Sequence, residues 1–175
     1  MPKVNPATPL LERTSSMMGR HRWRETIRFL RANYLVVEKH WELLWNLGWC
    51  YFKLERMDDA GKYLRKANFL APKSNVCKFG LGQVYLKKKQ YKKAESILSE
   101  GYEIKATHKI RISLALAYLA QGKIEEAEKM HLENIKAKPT ASARYESYAA
   151  FLYDVGREAE AKKMTQKAKR LQQIQ

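Results

Sequence analysis

Small and apolar side chains return along this chain at a long, regular interval. Ala60, Ala94, Ala127 and Ala161 are separated by 34, 33 and 34 positions. Tyr51, Tyr85 and Tyr118 take the same steps, as do Leu64 and Leu98, and Gly48 and Gly82. Pro72 and Pro139 stand 67 apart, one step of each length. Within a period the marked positions fall three or four apart, as in Leu44, Leu47, Gly48 and Tyr51, or Ala60 and Leu64. That spacing predicts two helices per repeat. A period this long denotes a repeated supersecondary unit, not a coiled coil, and such units bury their apolar faces against one another.

The small residues have a physical reading. Glycine inside a helix costs about 1 kcal/mol against alanine, so Gly48, Gly82 and, in the third unit, Ala115 imply a facing helix too close for a larger side chain. The four periodic alanines serve the same purpose on the second helix. Gly122 and Gly156 fall between helical stretches, where a turn is needed, and Pro72 and Pro139 mark the stop between one hairpin and the next.

In Trp41 to Ser74 the run Leu44-x-x-Leu47-Gly48-x-x-Tyr51, then Ala60-x-x-x-Leu64, Ala67 and Pro72 resembles the tetratricopeptide repeat, with Leu44 where a Trp is usual. The second unit keeps Leu81, Gly82, Tyr85, Tyr91, Ala94 and Leu98, without the closing proline. The third keeps Leu114, Tyr118, Gly122, Ala127 and Pro139. The fourth is looser, with Tyr145, Tyr148, Ala149, Gly156, Ala161 and Ala168. The resemblance implies an all-α, right-handed solenoid of about four hairpins with an N-terminal helical extension. The expected boundaries are a partly disordered tail over 1–19, a degenerate repeat over 20–40, and repeats over 41–74, 75–107, 108–141 and 142–175. Trp23, Thr26, Leu30, Asn33 and Val36 read as the second helix of the degenerate repeat, whose first helix would come from about Leu10 to Met18. Residues 1 to about 8, with Pro2, Pro6 and Pro9, are expected to be extended or disordered. The lysines of the last segment suit a capping helix.

In this family the first helix of each hairpin lines a concave groove that binds partners. The resemblance therefore implies a groove of Trp45, Trp49, Phe52, Val76, Phe79, Gln83, Leu86, Lys109, Ile112, Leu116, Leu119 and Tyr153. Exposed apolar patches larger than about 300–600 Å² usually mark an interaction site, so the expected ligand is an apolar helix or extended segment of another protein, with or without acidic flanks. Members that clamp an acidic chaperone tail use Lys, Asn and Arg in the groove. Here the corresponding positions hold Trp45, Trp49, Gly80 and Ser113, and only Lys109 fits. The implied function is an adaptor or chaperone-like module. In length, repeat number and apolar groove the chain is similar to the small chaperones that shield secretion-system translocators. Competing occupants of the groove are the N-terminal segment and a second copy of the chain, as in a homodimer or self-associating scaffold.

Charge adds one further expectation. Lys and Arg total 34 against 18 Asp and Glu, a formal net charge of +16, which favours an anionic partner. Arg20, Arg22, Arg24, Arg28 and Arg31 surround Trp23, a pairing that suits nucleic acid. No recognised nucleic-acid motif accompanies it, so a basic nucleic-acid-associated factor is the alternative and not the leading reading. Lys87, Lys88, Lys89, Lys92 and Lys93 read as a solvated turn, and Glu125, Glu126 and Glu128 as acidic residues favouring a helix N-terminus.

Chemistry subtracts several classes. There is no phosphate-binding glycine loop and no nucleophile with a placed base, so the chain is not read as an enzyme. Cys50 and Cys77 lack metal-ligand spacing and read as buried thiols, and the four histidines form no ligand pair; no cofactor or metal is expected. No apolar run approaches the ~20 residues of a membrane helix, and the N-terminus has no secretory leader pattern, so the default location is cytoplasmic.

Overall fold

The computed structural model describes residues 6–173; the expectation for residues 1–5 lies outside them. The described residues form eleven helices and no strand. The chain divides into two compact units, residues 1–90 and 91–175.

The first unit holds α1 (Ala7–Gly19), α2 (Trp23–Ala32), a single turn α3 (Tyr34–Val37), α4 (Trp41–Lys53), α5 (Met57–Leu70) and α6 (Asn75–Lys87). Helix α4 is the centre, packing on α1, α2, α5 and α6. Its core stripe is Leu43, Leu44, Leu47, Cys50 and Tyr51, and Ala60, Leu64 and Ala67 answer it from α5. Gly48 is where these two helices come closest. A Cβ there would lie 2.7 Å from Leu64 Cγ, 3.1 Å from the Leu64 nitrogen and 3.2 Å from the Ala60 carbonyl oxygen. Helix α6 begins at a Ser74 cap, whose hydroxyl accepts from the Cys77 amide. Burial raises the pKa of the Cys50 thiol to about 12 against a weaker opposing hydrogen bond with Thr26; both cysteines are free and buried, so neither is a ready nucleophile at neutral pH.

Two expectations are corrected near the N-terminus. Residues 7–19 are helical: the first helix looked for over about 10–18 begins earlier, at Ala7, so residues 7 and 8 are not extended. Pro6 stands at the N-cap with φ −62°, and Pro9 lies in the first turn, where backbone N–H groups have no intrahelical partner to lose. Helix α1 is anchored by Thr14, fully buried, whose hydroxyl donates to the Leu11 carbonyl and accepts from Asn46 Nδ2 on α4 at 3.1 Å. The second correction concerns α2, which ends at Ala32 and does not continue through Val36. The Asn33 side-chain amide donates to the Phe29 carbonyl at 2.8 Å, and its backbone (φ −111°) closes the helix before α3.

The second unit holds α7 (Tyr91–Ile104), α8 (His108–Leu119), α9 (Ile124–Ala137), α10 (Ser142–Asp154) and α11 (Glu158–Gln173). Helices α7, α8, α9, α10 and α11 pack each on the next. Ala94, Leu98, Ile110, Leu114, Ala127, Leu152 and Ala161 make the core. Helix α11 buries only Ala161 and Ala168, so its lysines face solvent as a capping helix requires.

A turn motif repeats through both units. His21, Glu55, Lys89, Gly122 and Gly156 all have positive φ, between 56° and 78°. At each, the N–H bonds to the carbonyl three residues back, and the next N–H reaches five back, as in Glu55 to Phe52 and Arg56 to Tyr51. This is the left-handed C-terminal cap that turns a chain out of one helix and into the next. Three of the five sites carry a side chain in a conformation that L residues adopt at a cost of about 1–2 kcal/mol. Glu55→Gly and Lys89→Gly are each expected to raise the urea unfolding free energy by about 0.5–1 kcal/mol, the relief being partly offset by unfolded-chain entropy. Unchanged or lowered midpoints would contradict this account of the turns.

Candidate functional site

In the first unit α4 and α6 bring together most of the aromatic residues named from the sequence. The Trp45 and Trp49 rings stack at 5.2 Å and 11°, and Trp49 stacks on Phe52 at 4.8 Å and 16°. Phe79 reaches Trp49 from α6 at 5.9 Å, tilted by 37°. Positions 45, 49 and 52 lie on one face of a 3.6-residue helix, which is why one helix can hold three rings in a ladder. The Trp45 indole N–H donates to the Val76 carbonyl at 3.1 Å, tying α4 to the start of α6. Gly80 makes room for this: a Cβ there would meet Trp45 Nε1 at 2.8 Å. The Lys53 ammonium lies 5.5 Å from the Trp49 ring centre, a cation–π contact at the edge of the ladder.

Exposure along this face is uneven. Trp45, Trp49, Phe79, Gln83 and Leu86 are half-buried, Phe52 is buried, and Val76 is 41% exposed. The surface is a shelf of ring edges with one aliphatic residue standing clear. In the second unit Ile112 and Leu119 are half-buried, Leu116 is 51% exposed, Tyr153 is 46% exposed, and Lys109 is exposed. Leu116 and Tyr153 are the exposed apolar ones among the residues named there from the sequence; Leu132, Ile104 and Ile124 are exposed elsewhere in this unit.

Other features of the second unit have no counterpart in the sequence reading. Glu128, expected to act only on the helix dipole, instead latches two hairpins. It accepts from Arg157 Nη1 at 2.7 Å and from the Tyr148 hydroxyl. The Arg157 hydrogen bond lowers the carboxyl's pKa, and burial, aided by Glu128, pushes the Tyr148 phenol up to about 12. Glu95 forms the equivalent latch a repeat earlier, accepting from Lys123 at 2.7 Å and from Gln121. The signal available in the sequence was the pair of 33- and 34-residue steps linking Glu95 to Glu128 and Lys123 to Arg157.

The first unit also holds a feature that sequence reasoning missed. Phe69, near the end of α5, is 83% exposed beside a pocket of about 560 Å³ lined with Leu44, Leu70, Lys62, Arg65, Lys66 and Glu38. Phe69 stands off the Ala60–Leu64–Ala67 core stripe, and this departure was the visible sign. Two of the pocket's lining lysines reach tyrosine rings, Lys62 that of Tyr63 and Lys66 that of Tyr34, each at 5.7 Å. Tyr51 stacks on Tyr63 at 5.4 Å, Tyr34 meets Tyr63 edge-on at 6.4 Å, and Lys66 donates to the Tyr34 hydroxyl at 3.0 Å.

Among the described residues no group of His, Cys, Asp or Glu could hold a metal ion, and no helix is long and apolar enough to cross a membrane.

Helical hairpins at a 33–34-residue period, with small residues at the helix crossings, define a tetratricopeptide-repeat protein, a class of protein–protein interaction scaffold. Tetratricopeptide repeat models match residues 24–75 and 77–108, and the chain is a member of that family. It is similar to the mouse (Mus musculus) BBSome complex member BBS4, at 29% identity over 120 residues, and this match takes in 67% of the chain but 23% of that protein. In fold it is similar to MamA from Desulfovibrio magneticus RS-1, solved from residue 41 to the end, with a TM-score of 0.79 and 20% identity over 97% of this chain and 96% of that solved chain. A tetratricopeptide repeat protein from Parabacteroides merdae also gives 0.79, with 18% identity over 93% of the chain and 65% of that protein. The family's fold is typically an interaction module and not a catalytic one.

Proposed function

We propose that the chain is a non-enzymatic adaptor or chaperone-like module that holds an apolar helical or extended segment of a partner protein against the first helices of its hairpins. The observation that carries this reading is the ladder of half-buried Trp45 and Trp49 stacked on buried Phe52, with half-buried Phe79 beside it. Rigid aromatic side chains already ordered by stacking lose little entropy on binding and offer large apolar area, the usual makeup of an interface anchor. Val76 offers a neighbouring aliphatic contact in the first unit. Ile112, Leu116, Leu119 and Tyr153 would contribute the same chemistry in the second unit, with Lys109 and the general positive charge receiving acidic flanks. The name of the BBSome relative, a member of a complex, agrees with an assembly role. Free cysteines suit a reducing compartment such as the cytoplasm.

The test uses an amphipathic apolar helix peptide labelled for fluorescence anisotropy. Trp45→Ala together with Trp49→Ala is expected to weaken binding by about 2–4 kcal/mol. Because Trp45 also packs on Gly80, circular dichroism must show that the variant is folded. Leu116→Ala, which removes an exposed side chain, is the companion. Binding by the wild type should depend weakly on salt. Steep salt dependence would instead favour the nucleic-acid reading, because each neutralised phosphate releases counterions. Peptide affinity unchanged in both variants would reject the assigned face, and a concentration-dependent mass would point to a second copy as the occupant.

A further inference from the structure

The first unit carries a second surface whose chemistry differs from the aromatic ladder. Residues 1–90 hold 18 Lys and Arg against 7 Asp and Glu, so most of the chain's excess charge lies in this half. Some of it is gathered on α5. Lys62, Arg65 and Lys66 occupy positions i, i+3 and i+4, and Phe69 follows at i+7. These four share one helix face over about two turns, roughly 10 Å. All are exposed, and they line a pocket of about 560 Å³ together with Leu44 and Leu70. Among the described residues that line the pocket, Glu38, just past α3, is the one carboxylate.

The cations lining this pocket are available. Among the described residues neither Lys62 nor Arg65 makes an ion pair; Lys62 leans 5.7 Å from the Tyr63 ring centre. Lys66 donates to the Tyr34 hydroxyl, and this bond raises its pKa, so it stays charged. Phe69, with 83% of its surface in water, is the most exposed large apolar residue described. An apolar recess next to three cations and one anion is complementary to a ligand that is itself apolar in the middle and acidic at its flanks.

We propose that the α5 face is a docking site, separate from the aromatic ladder, for an acidic segment of a partner polypeptide that inserts one bulky apolar side chain beside Phe69. A helix lying along α5 with carboxylates three and four residues apart would meet Lys62, Arg65 and Lys66 in register, while its anchor residue enters the recess. The recess separates this occupant from the other anionic classes. A membrane surface presents mobile acyl chains and no single fixed side chain to the recess, and a nucleic acid backbone gains nothing from the apolar side chains of Phe69 and Leu70 that line it.

The probe is a fluorescein-labelled helical peptide with glutamates at i, i+4 spacing around one central phenylalanine, measured by anisotropy with the full chain. Lys62→Glu with Arg65→Glu is expected to weaken binding about tenfold, and Phe69→Ala about tenfold. Replacing the peptide's phenylalanine with alanine should cost a similar factor, and Lys167→Glu, reversing an exposed charge on α11, should change little. All the replaced α5 side chains are exposed, so thermal melts should stay close to wild type. Three outcomes overturn the proposal. The first is that the peptide does not bind. The second is equal binding to Phe69→Ala, or equal binding without the peptide's anchor. The third is charge reversal that abolishes binding of an oligothymidine or of phosphatidylserine vesicles while leaving the peptide unaffected.

Discussion

Gly48→Ala is expected to destabilise the first unit by up to about 2 kcal/mol net, even though alanine is the better helix former. The new methyl carbon would lie 2.7 Å from Leu64 Cγ, the branch point of a fully buried side chain that cannot swing aside. Behind it stand the Leu64 nitrogen at 3.1 Å and the Ala60 oxygen at 3.2 Å, both backbone. Relieving these contacts means separating α4 from α5, and overpacking of this kind costs about 1–3 kcal/mol or more, against about 1 kcal/mol gained in propensity. Gly48→Val should cost more, since it adds two further methyl groups at the same crossing. Gly19→Ala is the control, because a Cβ there meets nothing within 4 Å. Urea titrations of the three variants should show two lowered midpoints and one unchanged or slightly raised. If Gly48→Ala matched Gly19→Ala, the close approach of α4 and α5 would not be the reason for the glycine.

His131 is expected to make the second unit sensitive to mild acid. Its ring is 5% exposed, stacked on Tyr148 at 5.8 Å and tilted against Phe151 at 5.0 Å, with Ser147 Oγ 3.4 Å from Nδ1. Burial dominates and lowers its pKa to about 4; the nearby Glu128 opposes this and His108 adds to it. In the unfolded chain the group titrates near 6.5. Between those values the unfolded state binds the extra proton, so stability is complete above about 6.5 and falls as pH drops toward 4. The full span corresponds to about 3 kcal/mol. Glu95, Glu128 and Glu160, whose pKa values are lowered by their basic partners, lose their contribution only below the ordinary carboxylate range. The informative window is therefore about pH 4.5 to 6.5. His131→Phe, which keeps a ring in the same site, should flatten the urea midpoint there. A wild-type curve that is already flat would mean that the histidine reaches water when protonated.

The two residues differ greatly in how visible they are in the sequence. Gly48 announced itself, because a glycine inside a helical pattern, recurring at Gly82, asks for a close neighbour. His131 did not, since one histidine on a helix has no pattern to mark it. The turns were half visible. Gly122 and Gly156 pointed to them, but His21, Glu55 and Lys89 occupy the same left-handed position, and nothing in their side chains reveals it. The aromatic ladder was legible as a set of positions on one face, yet the burial of Phe52 and the standing-out of Val76 were not. Prolines at 6 and 9 argued for an extended start until α1 placed them where a helix tolerates them.

By itself the sequence determined the period, the all-α hairpins and the places where two helices must nearly touch. Those are demands on backbone spacing, and they leave small residues at fixed intervals. Only the tertiary structure decided which side chains stay in water, which carboxylate latches which hairpin, and that Phe69 stands free beside three cations. Burial and pairing belong to neighbours supplied by other helices, so no single segment carries their signature.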